Sequence, residues 1–488
     1  MSYHLETADK PEQLRRVAID PVSRVEGHGK VTLLMDEANK VQQVRLHIVE
    51  FRGFEKFIQG RPYWEVPVMV QRLCGICPVS HHLAASKAMD VIVGVNCLTP
   101  TAEKIRRLMH YGQMLQSHAL HFFHLCSPDL LFGFDSDVGK RNIVGVAEKY
   151  PETARRGVLI RKFGQEVIRM TAGKRIHGTG SIPGGVNKSL SIEERDQLLK
   201  DVYQIVGWSR DAVHMARELH ETDPSTYNSF GIFSSHFMSL IGKSGEMDFY
   251  DGKLRARDEQ GNIFFDAVPP ADYEKYIQEE VKAWSYMKFP FFKSLGKEHG
   301  WYKVGPLARV QNCNSIPSPL ADAERREFID YAGGLPMHAA LAYHWTRMIE
   351  MLHAAETIKD LLHDPDILGH DLLLSGERKA EGVGMIEAPR GTLIHHYGVD
   401  ENDLVTMCNL IVSTTHNNQA MNEAIRHVAR RYLYGREVTE GLLNHIEVAI
   451  RAYDPCLSCA THALGKMPLT VELRDCEGRL LHALSRDA

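Results

Sequence analysis

RLCGICPVSHH (72–82) and DPCLSCATH (454–462) are the two stretches that decide how this chain folds. Each holds a Cys-x-x-Cys pair, Cys74–Cys77 and Cys456–Cys459, and each pair is followed by a histidine, His81 or His462. Four thiolates and two imidazoles suit a soft or borderline metal. Nearly the whole chain separates the pairs, so a metal bound to both lies between the two ends of one large fold. Proline disfavours α geometry in the residue before it, so a preceding helix over 439–452 must end before Pro455. Asp454 can then cap a new helix with Pro455 at its first position. In such a helix Cys456, Cys459 and His462 share one face, displaced by about 60° per step. Cys74, Cys77 and His81 fall at i, i+3 and i+7 if their stretch is also helical. A single pair leaves a redox dithiol or half a zinc site open. Two pairs favour a metal, with a four-cysteine zinc site the first reading from chemistry alone.

Composition sets the class. The 488 residues are 44% hydrophobic, enough for a large core. The net charge of −5 and the lack of a basic, aromatic-interleaved stretch argue against nucleic acid. No run of about 18 apolar residues predicts a membrane span, and MSYHLETADKPEQ (1–13) has no secretory apolar region. Nine thinly spread cysteines are no disulfide framework. The expected compartment is the cytoplasm.

Working outward, VTLLMD and VQQVRLHIVE around EANK predict a hairpin within a sheet-rich first 70 residues, and KLRARD and NIFFD around EQGN predict a second. Helices are expected from Thr99-Pro100 through HFFHLC, over 192–222, and near 336–363, 418–434 and 439–452. The glycine-rich HGTGSIPGGVN (177–187) reads as a turn. The expected fold class is α+β: one large unit with a mostly helical core and peripheral antiparallel β-hairpins. Several features read as structural. His118, His121 and His124 are taken as packing groups, and Cys97, Cys126, Cys313 and Cys408 as buried small residues. EKYIQEEVK (274–282) is taken as a solvated helix face. GTGSIPGG and GVGMIE lack dinucleotide-fingerprint spacing, so this chain is not expected to bind NAD itself.

IDPVSRVEGHGK (19–30), EFRGFEKFIQGRP (50–62), RLCGIC, HGTGSIPGGV (177–186), EAPRGTLIHHY (387–397) and DPCLSCATH resemble, in order, the motifs of the nickel–iron hydrogenase large subunit. FRGFEKF, the double histidine after CGICPVS, WSYMKFP and VGPLARV look most like the cytoplasmic NAD-linked (bidirectional) members. The resemblance implies a hydrogen-activating catalytic subunit. Cys74 and Cys456 would be terminal nickel thiolates, and Cys77 and Cys459 would bridge nickel to an iron carrying cyanide and carbon monoxide. Arg390 would lie over the site, with a plain buried ion pair as its alternative role. Pro389 would shape the pocket for the diatomic ligands, and Asp454 would orient Arg390. Glu26 would accept the proton from a nickel thiolate; without the resemblance it reads as a surface or capping carboxylate. Glu55, the carbonyl of Leu410, and His462 would hold magnesium with water. His81 would support the iron ligands or a bridging thiolate. Ser117 stands where many respiratory members carry an aspartate facing the arginine.

The resemblance also implies partners. No further cysteine pair has cluster spacing, so iron–sulfur clusters belong on a small partner subunit. FMN and NAD belong on flavin/NAD diaphorase subunits. A maturation endopeptidase and metal-insertion factors are implied as well. The endopeptidase would cut between His462 and Ala463, leaving 1–462 as one hydrogenase unit and removing 463–488, a strand-forming tail that would hold the last motif away from its final position. The alternatives are coupling to deazaflavin or ferredoxin, the related quinone-site subunit of respiratory complex I, and a non-catalytic zinc-scaffolded interaction protein.

Overall fold

The first expected hairpin forms. The computed structural model describes residues 5–334, 336–462, 469–475, 477 and 479–486. Strands β1 (Arg15–Ile19), β2 (Gly29–Met35) and β3 (Val41–Ile48) make an antiparallel sheet in that order. Val31, Leu33, Val44 and Leu46 are fully buried on its core side.

Four helices build the central layer, and their ends follow local chemistry. α1 (Pro78–Ile92) and α2 (Pro100–Leu120) both begin with proline at the first position. Thr99 caps α2 by accepting from the Ala102 amide. α3 (Pro151–Ala172) crosses α2 closely. A Cβ on Gly112 would sit 2.8 Å from Val167, and one on Gly164 would sit 2.7 Å from the Gly112 carbonyl oxygen. α4 (Ile192–Thr222) starts with a reciprocal capping box between Ser191 and Glu194. The sequence pattern places this helix to the residue. After the short α5 (Pro306–Asn312), α6 (Ala342–His363) is buried on all sides over most of its length. Its start at Ala342 falls six residues after the expected 336. α7 (Asn418–Val428) and α8 (Glu440–Ala452) close the helical layer.

The second expected hairpin also forms, within a larger sheet. β4 (His236–Ile241), β5 (Lys253–Arg257) and β6 (Ile263–Val268) are antiparallel, and the short strand Tyr302–Lys303 joins β4 in parallel. A further antiparallel sheet, β7 (Glu381–Ala388), β8 (Gly391–Val399) and β9 (Val405–Ile411), escapes the sequence pattern. Both its faces are covered, by α1 on one side and by the β4–β5 core on the other. Burial is nearly continuous along β7 and β8, so their sequences lack the apolar-in, polar-out alternation of a half-exposed strand. EKYIQEEVK is not a solvated helix. Ile277–Glu280 is a strand paired with Phe289–Phe292, and this pairing turns Glu279 inward. In the tail, β10 (Leu469–Arg474) and β11 (Leu480–Arg486) pair as a hairpin. No helix among the described residues is long and apolar enough to cross a membrane.

Candidate metal centre

Neither cysteine motif is helical through its thiols. Cys74 is extended (φ −149°, ψ 142°), and Cys77 is the cap residue from which α1 departs. The amides of Ile76 and Cys77 therefore point back at Cys74 Sγ, 3.1 and 3.3 Å away. At the other motif, Asp454 adopts left-handed geometry (φ +53°) and caps nothing. Arg390 occupies both its carbonyl (Nε, 2.6 Å) and its carboxylate (3.0 Å). The chain then pairs in parallel with the N-terminal segment at Glu26↔Cys456, and only Ser458–Ala460 makes a single 3-10 turn. The expected helix is lost because Asp454 is committed to the guanidinium and Leu457 donates to the Glu26 carbonyl instead (3.0 Å).

This arrangement brings the four thiols together. Cys74 Sγ lies 3.1 Å from Cys456 Sγ, Cys456 is 2.9 Å from Cys459, and Cys77 is 3.7 Å from Cys459. All four sulfurs fall within 4.8 Å of one another, and all four residues are buried. Hydrogen bonds from the neighbouring thiols pull Cys74 well below the ordinary thiol range, while burial pushes Cys456 and Cys459 well above it. A bound cation would favour the thiolate form of all four. The last motif is held here by the Glu26 bridge and by a bond from the Cys456 amide to Thr414 Oγ1 (2.9 Å). Ala463 lies outside the described residues.

A cavity of about 10 Å³ adjoins the thiols, lined by Cys77, Ser80, His81, Pro389, Arg390 and Cys456 among others. Ser80 Oγ is buried there without a partner. An unpaired hydroxyl facing a small void beside two sulfurs suits a compact polar ligand on a metal. Arg390 is 3.4 Å from Ser117 Oγ, so a hydroxyl of α2 meets the guanidinium. Burial raises the Asp454 carboxyl, against the pull of Arg390 and Arg347. Glu26 Oε2 is 2.9 Å from Cys456 Sγ and receives the Ser458 amide at 3.2 Å; the Ser458 hydroxyl donates to Oε1. His81 Nδ1 pairs with His395 Nε2 (3.1 Å), and His395 Nδ1 with Tyr397 Oη (2.7 Å). Burial lowers His81 to about 4, so it is neutral.

Glu55, bonded to the Leu410 backbone, and His462 both lie near Lys288. The Leu410 amide donates to Glu55 Oε1 (2.9 Å). Both ring nitrogens of His462 are buried without partners, and burial lowers its pKa to about 3. Lys288 Nζ lies 3.3 Å from Glu55 and 3.2 Å from Glu279, whose Oε1 is unpartnered and whose carboxyl burial pushes up to about 7. The carboxylate oxygens suit a hard cation and an imidazole nitrogen a borderline one, with Lys288 already supplying part of the countercharge to Glu55 and Glu279. Lys288, Glu279 and Ser458 were missed from the sequence. Ser458 sits inside a quoted motif, whereas nothing local marks Glu279.

A second convergent triad, His121, Cys126 and His344, has its ligand-type atoms within 4.8 Å of one another. It is a packing cluster. His121 Nε2 bonds the Arg451 carbonyl (2.6 Å), the two imidazoles stack, and burial with nearby Arg347 depresses His121. This agrees with the structural reading of His121 and Cys126. Cys313 and Cys408 are buried as expected, but Cys97 is exposed.

Fold and site together define a large chain whose two ends bring four buried thiols to one point fit for a metal. A nickel-dependent hydrogenase family model matches residues 52–132 and 238–462, and a HoxL-like model matches 16–51. The NAD-reducing hydrogenase HoxS subunit beta of Cupriavidus necator is 49% identical, over 97% of this chain and 100% of its own. A chain of the F420-non-reducing hydrogenase of Methanothermobacter marburgensis is 42% identical, over 96% of this chain and 99% of its own. The crystal structure of an NAD+-reducing [NiFe]-hydrogenase in the H2-reduced state superposes with a TM-score of 0.91 at 56% identity, covering 92% of this chain and 99% of that one. The chain belongs to the nickel-dependent hydrogenase family. It is a hydrogenase large subunit, and Cys74, Cys77, Cys456 and Cys459 are placed to fit a nickel–iron site.

Proposed function

We propose that this chain activates dihydrogen within an NAD-coupled hydrogenase, with Cys74 and Cys456 as terminal and Cys77 and Cys459 as bridging thiolates. The observation that carries the reading is the 2.9 Å approach of Glu26 to one sulfur of a buried four-thiol cluster. When bound, nickel, with iron carrying cyanide and carbon monoxide, supplies the open coordination position at which dihydrogen is split heterolytically. Glu26 Oε2 takes the proton from Cys456 Sγ, held for that task by the Ser458 amide. Arg390 keeps a fixed positive charge over the site, braced by Asp454 and Ser117. Pro389, Ser80 and His81 line the cavity beside the thiols and would wall the diatomic ligands off from water. Glu55, the Leu410 carbonyl and His462 would hold magnesium and anchor the end of the last motif.

Electrons leave through a small iron–sulfur subunit. Phe51, Phe57 and Trp64 are exposed on the segment that touches the centre through Arg52, whose guanidinium reaches the Leu73 carbonyl (3.1 Å). That apolar stretch suits the electron-carrying partner. Flavin and NAD then sit on diaphorase subunits, a reading supported by the NAD-reducing activity in the name of the Cupriavidus necator relative; an electron carrier other than NAD is the second reading. We place the working unit at 1–462, with 463–488 removed by a maturation endopeptidase after metal insertion; the family match ends at residue 462. The cytoplasm is the compartment that suits NAD coupling. Elemental analysis and infrared spectroscopy of the purified complex test the centre. Nickel, iron and bands of metal-bound cyanide and carbon monoxide are expected, together with H2-dependent NAD reduction and a large subunit ending at His462. Zinc alone would leave a scaffold protein, and an active, nickel-loaded chain ending at Ala488 would refute processing.

A further inference from the structure

Arg309, on α5, is buried, and all of its donors are used around the turn that carries Arg390. Its Nε and one terminal nitrogen grip Glu350 (2.6 and 2.5 Å), and that terminal nitrogen also meets the Pro389 carbonyl at 3.2 Å. The other terminal nitrogen reaches Glu387 Oε2 (2.8 Å) and the Ala388 carbonyl (2.9 Å). Five N–H groups thus meet five acceptors, the full capacity of a guanidinium. Glu350 Oε2 also pairs with His118 Nε2 (3.0 Å), the neighbour of Ser117 on α2. Glu387 Oε1 is fixed in turn by Thr392 Oγ1 (2.7 Å) and the Leu240 amide (2.8 Å). Where α5 begins, Gly305 lies so close that a Cβ there would sit 2.8 Å from the Arg390 carbonyl oxygen. One guanidinium therefore ties the residues just before Arg390 to the helix that presents Ser117 to it.

We propose that Arg309 is a positioning residue for the hydrogenase reaction: with Glu350 and Glu387 it clamps the 388–390 turn, and so sets where Pro389 and Arg390 stand over the open metal position. The proposal rests on the reading of Arg390 given above. Lysine cannot replace it, because three donors on a flexible stem cannot serve five fixed acceptors. Two buried acceptors would be left unpaired, and the turn would relax toward new partners.

The test uses the purified holoenzyme complex with Arg309→Lys, Arg390→Lys and the double variant. Arg309→Lys should keep nickel and iron at wild-type content, lower kcat by about 10- to 100-fold, and shift the carbon monoxide and cyanide bands. KM for hydrogen should change much less than kcat. The double variant should be little worse than Arg390→Lys alone, because both changes spoil one placement. Arg390→Lys at wild-type turnover would defeat the reading of Arg390 and this proposal with it. A crippled Arg390→Lys beside an Arg309→Lys of normal turnover and unshifted bands would defeat the clamp alone, as would fully additive losses. If Arg309→Lys fails to load metal, Glu387→Gln provides the same readout: shifted bands with metal retained support the clamp, and unshifted bands overturn it.

Discussion

The four-thiol centre and the His121–Cys126–His344 triad are both buried convergences of ligand-type side chains, yet only one is built to hold a metal. At the centre, the sulfurs face one another, the adjoining cavity is lined by an unpaired hydroxyl, and a carboxylate waits 2.9 Å away. In the triad, His121 already donates its Nε2 hydrogen to a carbonyl, and Arg347 lies close enough to depress both imidazoles. Convergence of donors is thus not sufficient. What separates the two is the surrounding charge: Arg347 opposes a cation at the triad, whereas the Glu26 carboxylate faces a sulfur at the centre.

The sharpest way to break the comparison is to remove a shared ligand. Cys77→Ser or Cys459→Ser is expected to abolish hydrogen activation and the cyanide and carbon monoxide bands, because one sulfur serves both metals; a variant that keeps both would end the bridging assignment. Next in size, Glu26→Gln should retain metal but lose about 100-fold or more in hydrogen–deuterium exchange with solvent, in line with removing a positioned base. Unchanged exchange in a fully metallated variant would clear Glu26.

Acid should act on the second region. Burial lowers His344 to about 3, and His110 and His353 to about 4, whereas the unfolded chain takes up protons near 6.5. Between those values the unfolded state binds more protons, so stability falls as pH drops from 6.5 toward 4. Each such histidine contributes at most about 1.4 kcal/mol per pH unit. Thermal unfolding across that range should show the decline, and His344→Gln should make it shallower; an unaltered slope would remove His344 from the account. Smallest of all, Cys126→Ala should cost about 1 kcal/mol in chemical denaturation and leave nickel and iron content unchanged. Loss of metal would promote the triad to a ligand site.

Much of this was legible in the chain, for reasons that differ by region. The Ser191–Glu194 capping box and the polar link between β2 and β3 are local signals, and the elements formed where those signals fall. The β7–β9 sheet is covered on both faces, so its strands carry no alternation to read. The cysteines were legible from spacing, and the roles of Glu26 and Arg390 only through the resemblance. The inward turn of Glu279 depends on a strand pairing with Phe289–Phe292 that no local pattern announces. The helix expected at Cys456 failed because Asp454, a good cap in isolation, belongs to Arg390.

The pairing of Glu26 with Cys456 spans 430 residues of chain. At about 5–20 residues per second of synthesis, roughly 20 to 90 s separate the emergence of one partner from that of the other. Through that interval Cys74 and Cys77 stand without their counterparts, and the pocket that would select a metal does not exist. A metal held by all four thiols can therefore be seated only once the last motif has been made, and the young chain must keep its first two thiols reduced until then.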